Sequence, residues 1–168
     1  MNTIFLVYSD ILRSTRTVEQ AEQLVAEIDS LLASLFHEGK KEFERSLTSI
    51  RVEVAKVLRD EFLSKDPKYQ NKEMVREFLT QLKERVQSLV PLPVTLAFSP
   101  SEHAIAIIHD WIVKNLGDGY VLDIEVDENI IGGICLTLDG RYIDLSLKKK
   151  MEEVFGTKRQ EITNTLNS

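Results

Sequence analysis

The sequence predicts an α+β protein: a long N-terminal helix followed by a small C-terminal domain, in which a four-stranded mixed sheet carries flanking helices. Three observations predict it. Residues 17–65 hold a proline-free apolar stripe at helical spacing. Residues 94–126 read as strand, capped helix, strand. Asp139-Gly140 stands between two short apolar runs, the signal of a tight hairpin. The implied organisation is a coiled-coil arm over 1–66, a C-terminal domain over 67–156 and a loose tail over 157–168.

Composition limits the classes of function. The chain has 168 residues, 43% of them hydrophobic and 29% charged. That supports a modest core and argues against a disordered chain. The net charge of −6 argues against nucleic acid, because phosphate binding needs a basic patch. One cysteine, Cys135, makes neither a disulfide framework nor a zinc cluster. The apolar run Ile4–Tyr8 lacks a basic flank and is far short of the ~20 residues a membrane span needs. These points suggest a soluble protein of a reducing compartment.

Residues 1–16 read equally as a short strand or the first turn of a helix. Thr17 then serves as N-cap with Gln20 three residues on, as in a capping box. The stripe that follows is Ala21, Val25, Ile28, Leu32, Phe36, Gly39, Phe43, Leu47, Ile50, Val54 and Leu58. Its gaps of four, three and four form an 11-residue repeat, which runs at ~3.67 residues per turn and favours a straight or right-handed coiled coil. As one helix the arm spans ~73 Å at ~1.5 Å per residue. Such a stripe needs a partner helix, so Ala21, Val25, Ile28, Leu32, Phe36, Phe43, Leu47, Ile50, Val54 and Leu58 form the expected partner-binding seam. The alternative is a hairpin of two bundle helices, with Gly39 ending the first and Leu24, Leu31 and Leu35 widening its stripe. Asp66-Pro67 closes the segment, since a residue before proline avoids the helical region.

A helix over Lys72–Leu89 follows, stopped by Pro91 and Pro93. Val94–Phe98 is a strand. Ser99, Pro100 and Glu102 have the chemistry of N-cap, N1 and N3. Ala104, Ile105, Ile107, Ile108, Trp111, Ile112 and Leu116 give the next helix a broad apolar face, ended by Gly117 as a C′ glycine. With the strand Tyr120–Val126 this makes a βαβ crossover of parallel strands. Ile130–Leu138 and Arg141–Asp144 form the hairpin, with Gly132-Gly133 suggesting a bulge or a close backbone approach. Asp144 or Ser146 caps a last helix to about Phe155.

Chemistry-bearing clusters are missing from the sequence. His103 and His109 are six apart and do not share a helix face as i,i+4 ligands do. A dyad of His109 and Asp110 lacks a nucleophile. Cys135 sits in an apolar strand, where a thiol is inert. No phosphate-binding loop or nucleophile elbow occurs. The expectation is a protein with no catalytic, metal or cofactor site.

Val126–Phe155, VDENIIGGICLTLDGRYIDLSLKKKMEEVF, resembles the C-terminal signature of the delta subunit family of F-type ATP synthases, called OSCP in mitochondria. The resemblance is carried by Asp127, Ile130, Ile131, Gly132, Gly133, Ile134, Gly140, Ile143, Asp144, Ser146 and Leu147, with Ile131, Gly132, Gly133, Asp144 and Ser146 as the core motif. Related C-terminal domains occur in the E-type stalk protein of the V/A-type ATPases and in stator-like regulators of flagellar and type III export ATPases. The delta family begins with a bundle of about six helices, whereas residues 1–66 look like the long helical arm of the E-type stalk protein. The resemblance implies a non-catalytic peripheral-stalk subunit of an F-type or V/A-type complex, at the inner face of an energy-transducing membrane. Its implied partners are other stalk helices and the catalytic head. An export-ATPase regulator and a free-standing coiled-coil scaffold are the alternatives.

Overall fold

The structure is a computed structural model and describes residues 3–37, 40–63, 72–130, 132–138 and 140–144. The elements are α1 (Thr3–Ser14), α2 (Val18–His37), α3 (Lys40–Ser46), α4 (Val52–Val57), a π-helical segment (Leu58–Leu63), α5 (Lys72–Gln87), β1 (Val90–Leu96), α6 (Glu102–Leu116), β2 (Tyr120–Val126), β3 (Ile134–Leu138) and β4 (Arg141–Asp144). The α+β class and the four-stranded sheet are as expected. The chain divides into two compact units. A helical unit takes residues 1–90 with 112–121, and a sheet unit takes 91–111 with the chain after 121. The division therefore falls later than the expected boundary after residue 66, because α5 packs into the helical core.

The N-terminal stripe does not run as one continuous arm. Helix α2 ends at His37, α3 occupies only Lys40–Ser46, and α4 starts afresh at Val52. Hydroxyl groups stop α3. Thr48 Oγ1 donates to the Arg45 carbonyl at 2.7 Å and Ser49 Oγ to the Ser46 carbonyl at 2.8 Å. Side chains that satisfy the local carbonyls offer the backbone an alternative to the helical ladder. Just beyond, the Arg51 N–H donates to Glu27 Oε2 on α2 at 3.2 Å. Arg51 Nη1 donates to Thr15 Oγ1 at 3.1 Å, and Nη2 to the Gln20 carbonyl. A contact between residues 24 apart in sequence requires the chain to have doubled back, so the bundle reading holds rather than the extended arm. Asp66-Pro67, the expected stop, lies outside the described residues.

The folded-back segments share one core. Leu24, Ile28, Leu31 and Leu35 of α2 meet Phe43, Leu47, Ile50, Val54 and Leu58, and α5 adds Val75, Phe78, Leu79, Leu82 and Val86. Each fully buried aliphatic or aromatic side chain contributes ~1.5–3 kcal/mol relative to exposure. Helix α1 resolves the ambiguous N-terminus. Its Tyr8 ring stacks on Phe78 of α5 with centroids 5.1 Å apart, and its hydroxyl donates to the Phe78 carbonyl and Gln81 Oε1, each at 3.3 Å. Burial pushes that hydroxyl above its usual pKa. The start of α2 follows the capping box closely: the Gln20 N–H donates to Thr17 Oγ1 at 3.1 Å, while Gln20 Oε1 accepts from the Arg16 N–H at 2.9 Å.

The sheet has the order β2-β1-β3-β4. Strand β1 pairs antiparallel with β3, placing Val94 opposite Leu136 and Leu96 opposite Ile134, and β3 pairs antiparallel with β4. On the other side, the Val90 N–H donates to the Gly119 carbonyl at 2.8 Å and the Asp127 N–H to the Leu96 carbonyl at 2.9 Å. Residue numbers rise together along these bonds, so β1 and β2 are parallel neighbours, as a βαβ crossover requires.

Strand β1 starts four residues earlier than expected and contains Pro91 and Pro93 in a central position, where proline is normally excluded. Alternate amides point to alternate neighbours. Val90 donates toward β2, so the missing N–H groups of Pro91 and Pro93 face the β3 side. The pairing with β3 stops at Val94, so those prolines interrupt no ladder.

Candidate partner-docking surface

Ten side chains are expected to form a partner seam, and the structure places nine of them in or against the core of the helical unit. Ile28, Phe43, Leu47, Ile50, Val54 and Leu58 are buried in the shared core, and Ala21, Val25 and Leu32 pack against it. The side chain of Phe36 lies outside the described residues. The six buried members of the stripe are covered by their own chain, while Ala21, Val25 and Leu32 stay partly exposed. Phe43 and Leu47 before the break, and Val54 and Leu58 after it, meet the same core as α2.

Helix α6 presents a different surface. Ser101, rather than Ser99, caps it: Ser101 Oγ accepts from the Ala104 N–H at 3.3 Å. At its other end Gly117 adopts φ +98°, and its N–H reaches the Val113 carbonyl at 3.1 Å. This is the left-handed exit that a C′ glycine permits. Ile105, His109 and Ile112, at i, i+4 and i+7, form the buried face. Ile107 and Trp111 share the opposite side one turn apart, and are 57% and 49% exposed. Ala104 is half-buried beside them. An isoleucine and a tryptophan left adjacent in water are the composition found at the centre of protein interfaces. His103 and Asp110 are exposed on the flanks while His109 points inward, so His109 and Asp110 do not face one another as a dyad would.

Apolar spacing alone assigns Ile107 and Trp111 to the buried face and misses their exposure. The signal was present. Apolar residues at 104, 105, 107, 108, 111, 112 and 116 cover more than half the helix circumference, and a helix lying on one sheet face buries a narrower arc.

The motif residues act on the backbone. Asp127 Oδ1 accepts from the Asn129 N–H and Nδ2 at 2.9 and 2.8 Å, an Asx turn. The Gly132 N–H then bonds the Ile130 carbonyl at 2.9 Å. Gly132 and Gly133 hold φ +67° and +89°, a succession of left-handed conformations that a side chain would strain. They turn the chain into β3, which begins at Ile134, four residues later than the expected strand. Asp144 stands opposite Cys135 and its Oδ1 accepts from the thiol at 3.5 Å. Tyr142, an exposed neighbour on β4, is pushed up to about 12, chiefly by its hydrogen bond with Cys135. Ile131, Ser146 and the expected last helix lie outside the described residues. Among the described residues no group of His, Cys, Asp or Glu could hold a metal ion, and no helix is long and apolar enough to cross a membrane.

Known proteins match this chain in the same region. A family model described as ATP synthase delta (OSCP) subunit matches residues 61–155, more than half of the chain. The ATP synthase subunit delta of Thermosipho africanus (strain TCF52B) is 28% identical over 69 residues, which make up 41% of this chain and 38% of that relative. The matched part thus spans well under half of the relative's length.

Proposed function

Because this chain belongs to the ATP synthase delta (OSCP) subunit family, we propose that it is a peripheral-stalk (stator) subunit of an F-type ATP synthase. In this role it links the catalytic head to the membrane sector and resists rotor torque during proton-driven synthesis. The observation that carries the reading is the family match, which takes in α5, the whole described sheet and the motif around Gly132-Gly133. The folded N-terminal bundle supports the delta-type arrangement over a long extended arm of the V/A type. The protein's work is mechanical: it binds partners on both sides and reacts with nothing. It acts at the inner face of an energy-transducing membrane, held there by its partners.

The sheet unit meets a stalk helix through Ile107 and Trp111. Trp111 is 49% exposed, so docking removes about half of the ~150–250 Å² that an aromatic side chain can bury, and anchors of this kind dominate interface energy. Trp111 is the single tryptophan, so its fluorescence reports the event without a label. The experiment is purification of the tagged chain from native membranes, followed by mass spectrometry. Recovery of the catalytic and stalk subunits of an ATP synthase is expected. Recovery with an export ATPase and no rotary-ATPase subunits would overturn the assignment. For the docking face, Ile107→Asp with Trp111→Asp should lower that recovery by at least about tenfold while the far-ultraviolet circular dichroism stays unchanged. Undiminished recovery would place the interface elsewhere.

A further inference from the structure

We draw no further inference here: the strongest candidate, the sheet face on which Thr95, Thr137, Tyr142 and Asp144 stand beside the exposed carboxylates Asp123 and Glu125 of β2, leads directly into the chain beyond Asp144, outside the described residues, so nothing in the structure shows what covers it.

Discussion

The helical unit and the sheet unit are stabilised by different means. In the helical unit the decisive groups are side chains. Leu24, Leu35, Phe43, Leu58, Leu79 and Leu82 are fully buried, with side-chain ties from Arg51 and Tyr8 crossing between helices. Lys83 Nζ reaches both Asp29 oxygens at 2.6 and 2.8 Å, but it is partly exposed, and such pairs contribute ~1 kcal/mol or less. In the sheet unit the decisive groups are backbone. A parallel pair, two antiparallel pairs and the turns at 127–133 fix the path, and several large apolar side chains remain in water. A packing-dominated unit fails when volume is removed from its core. A turn-dominated unit tolerates many side-chain changes and fails when a special conformation is lost. The sheet unit also leaves Ile107 and Trp111, one turn apart on α6, about half exposed.

Substitutions can break this contrast, beginning with the core. Leu47 is 1% exposed, and Leu47→Asp both opens a void and buries a carboxylate, for a loss on the order of 4 kcal/mol. Urea unfolding followed by circular dichroism reads this directly. A loss below ~1 kcal/mol would mean that Leu47 faces solvent, as an open seam requires. Gly133→Val tests the other unit and should cost about 1–3 kcal/mol from backbone strain alone. If Gly133→Ala and Gly133→Val were both neutral, the turn would not depend on a left-handed residue. Trp111, 49% exposed, packs about half of its side chain, so Trp111→Asp should cost about 1–3 kcal/mol, less than Leu47→Asp, while partner recovery falls. A stability loss as large as that of Leu47→Asp would place Trp111 in the core instead. Thr17→Ala removes the acceptor of the Gln20 N–H and should cost ~1 kcal/mol, measurable as a lower urea midpoint.

The smallest effect concerns alkaline pH. Tyr142 titrates at about 12 against an ordinary 10.0. The folded chain therefore keeps a proton that the unfolded chain releases, and the associated stability is full below pH 10.0 and lost as pH rises toward about 12. The Tyr142→Phe variant should lack that part of the alkaline loss. An identical alkaline profile for the two proteins would remove the hydrogen bond to Cys135 from the account.

Particular residues show what was legible. The capping box at Thr17 and Gln20, the exit at Gly117, the hairpin before Arg141 and the βαβ order all follow from short-range chemistry. A hydroxyl, a glycine or a strand-forming run acts within a few residues of itself. The family motif was legible for the same reason, since its Gly132-Gly133 pair encodes a local backbone path. Arg51 was not legible. Its partners Thr15, Gln20 and Glu27 lie 24 to 36 residues away, and nothing in its neighbourhood distinguishes it from any surface arginine. The candidate docking pair was half legible: an overly wide apolar arc on α6 was visible, but not which part of it the fold would leave exposed.

The sequence by itself determined the class of the protein, its family motif, most of its helices and strands, and the apolar identity of every stripe residue. Periodicity fixes which side of a helix is apolar, because ~3.6 residues make a turn whatever surrounds it. Tertiary structure decided what those apolar sides meet. Phe43, Leu47 and Val54 suit a partner helix and an internal core equally, and the choice was made by the break between Ser46 and Val52 and by the return of Arg51 to α2. Burial is a property of the whole chain's path, so an apolar stripe states that it must be covered and leaves to the fold what covers it.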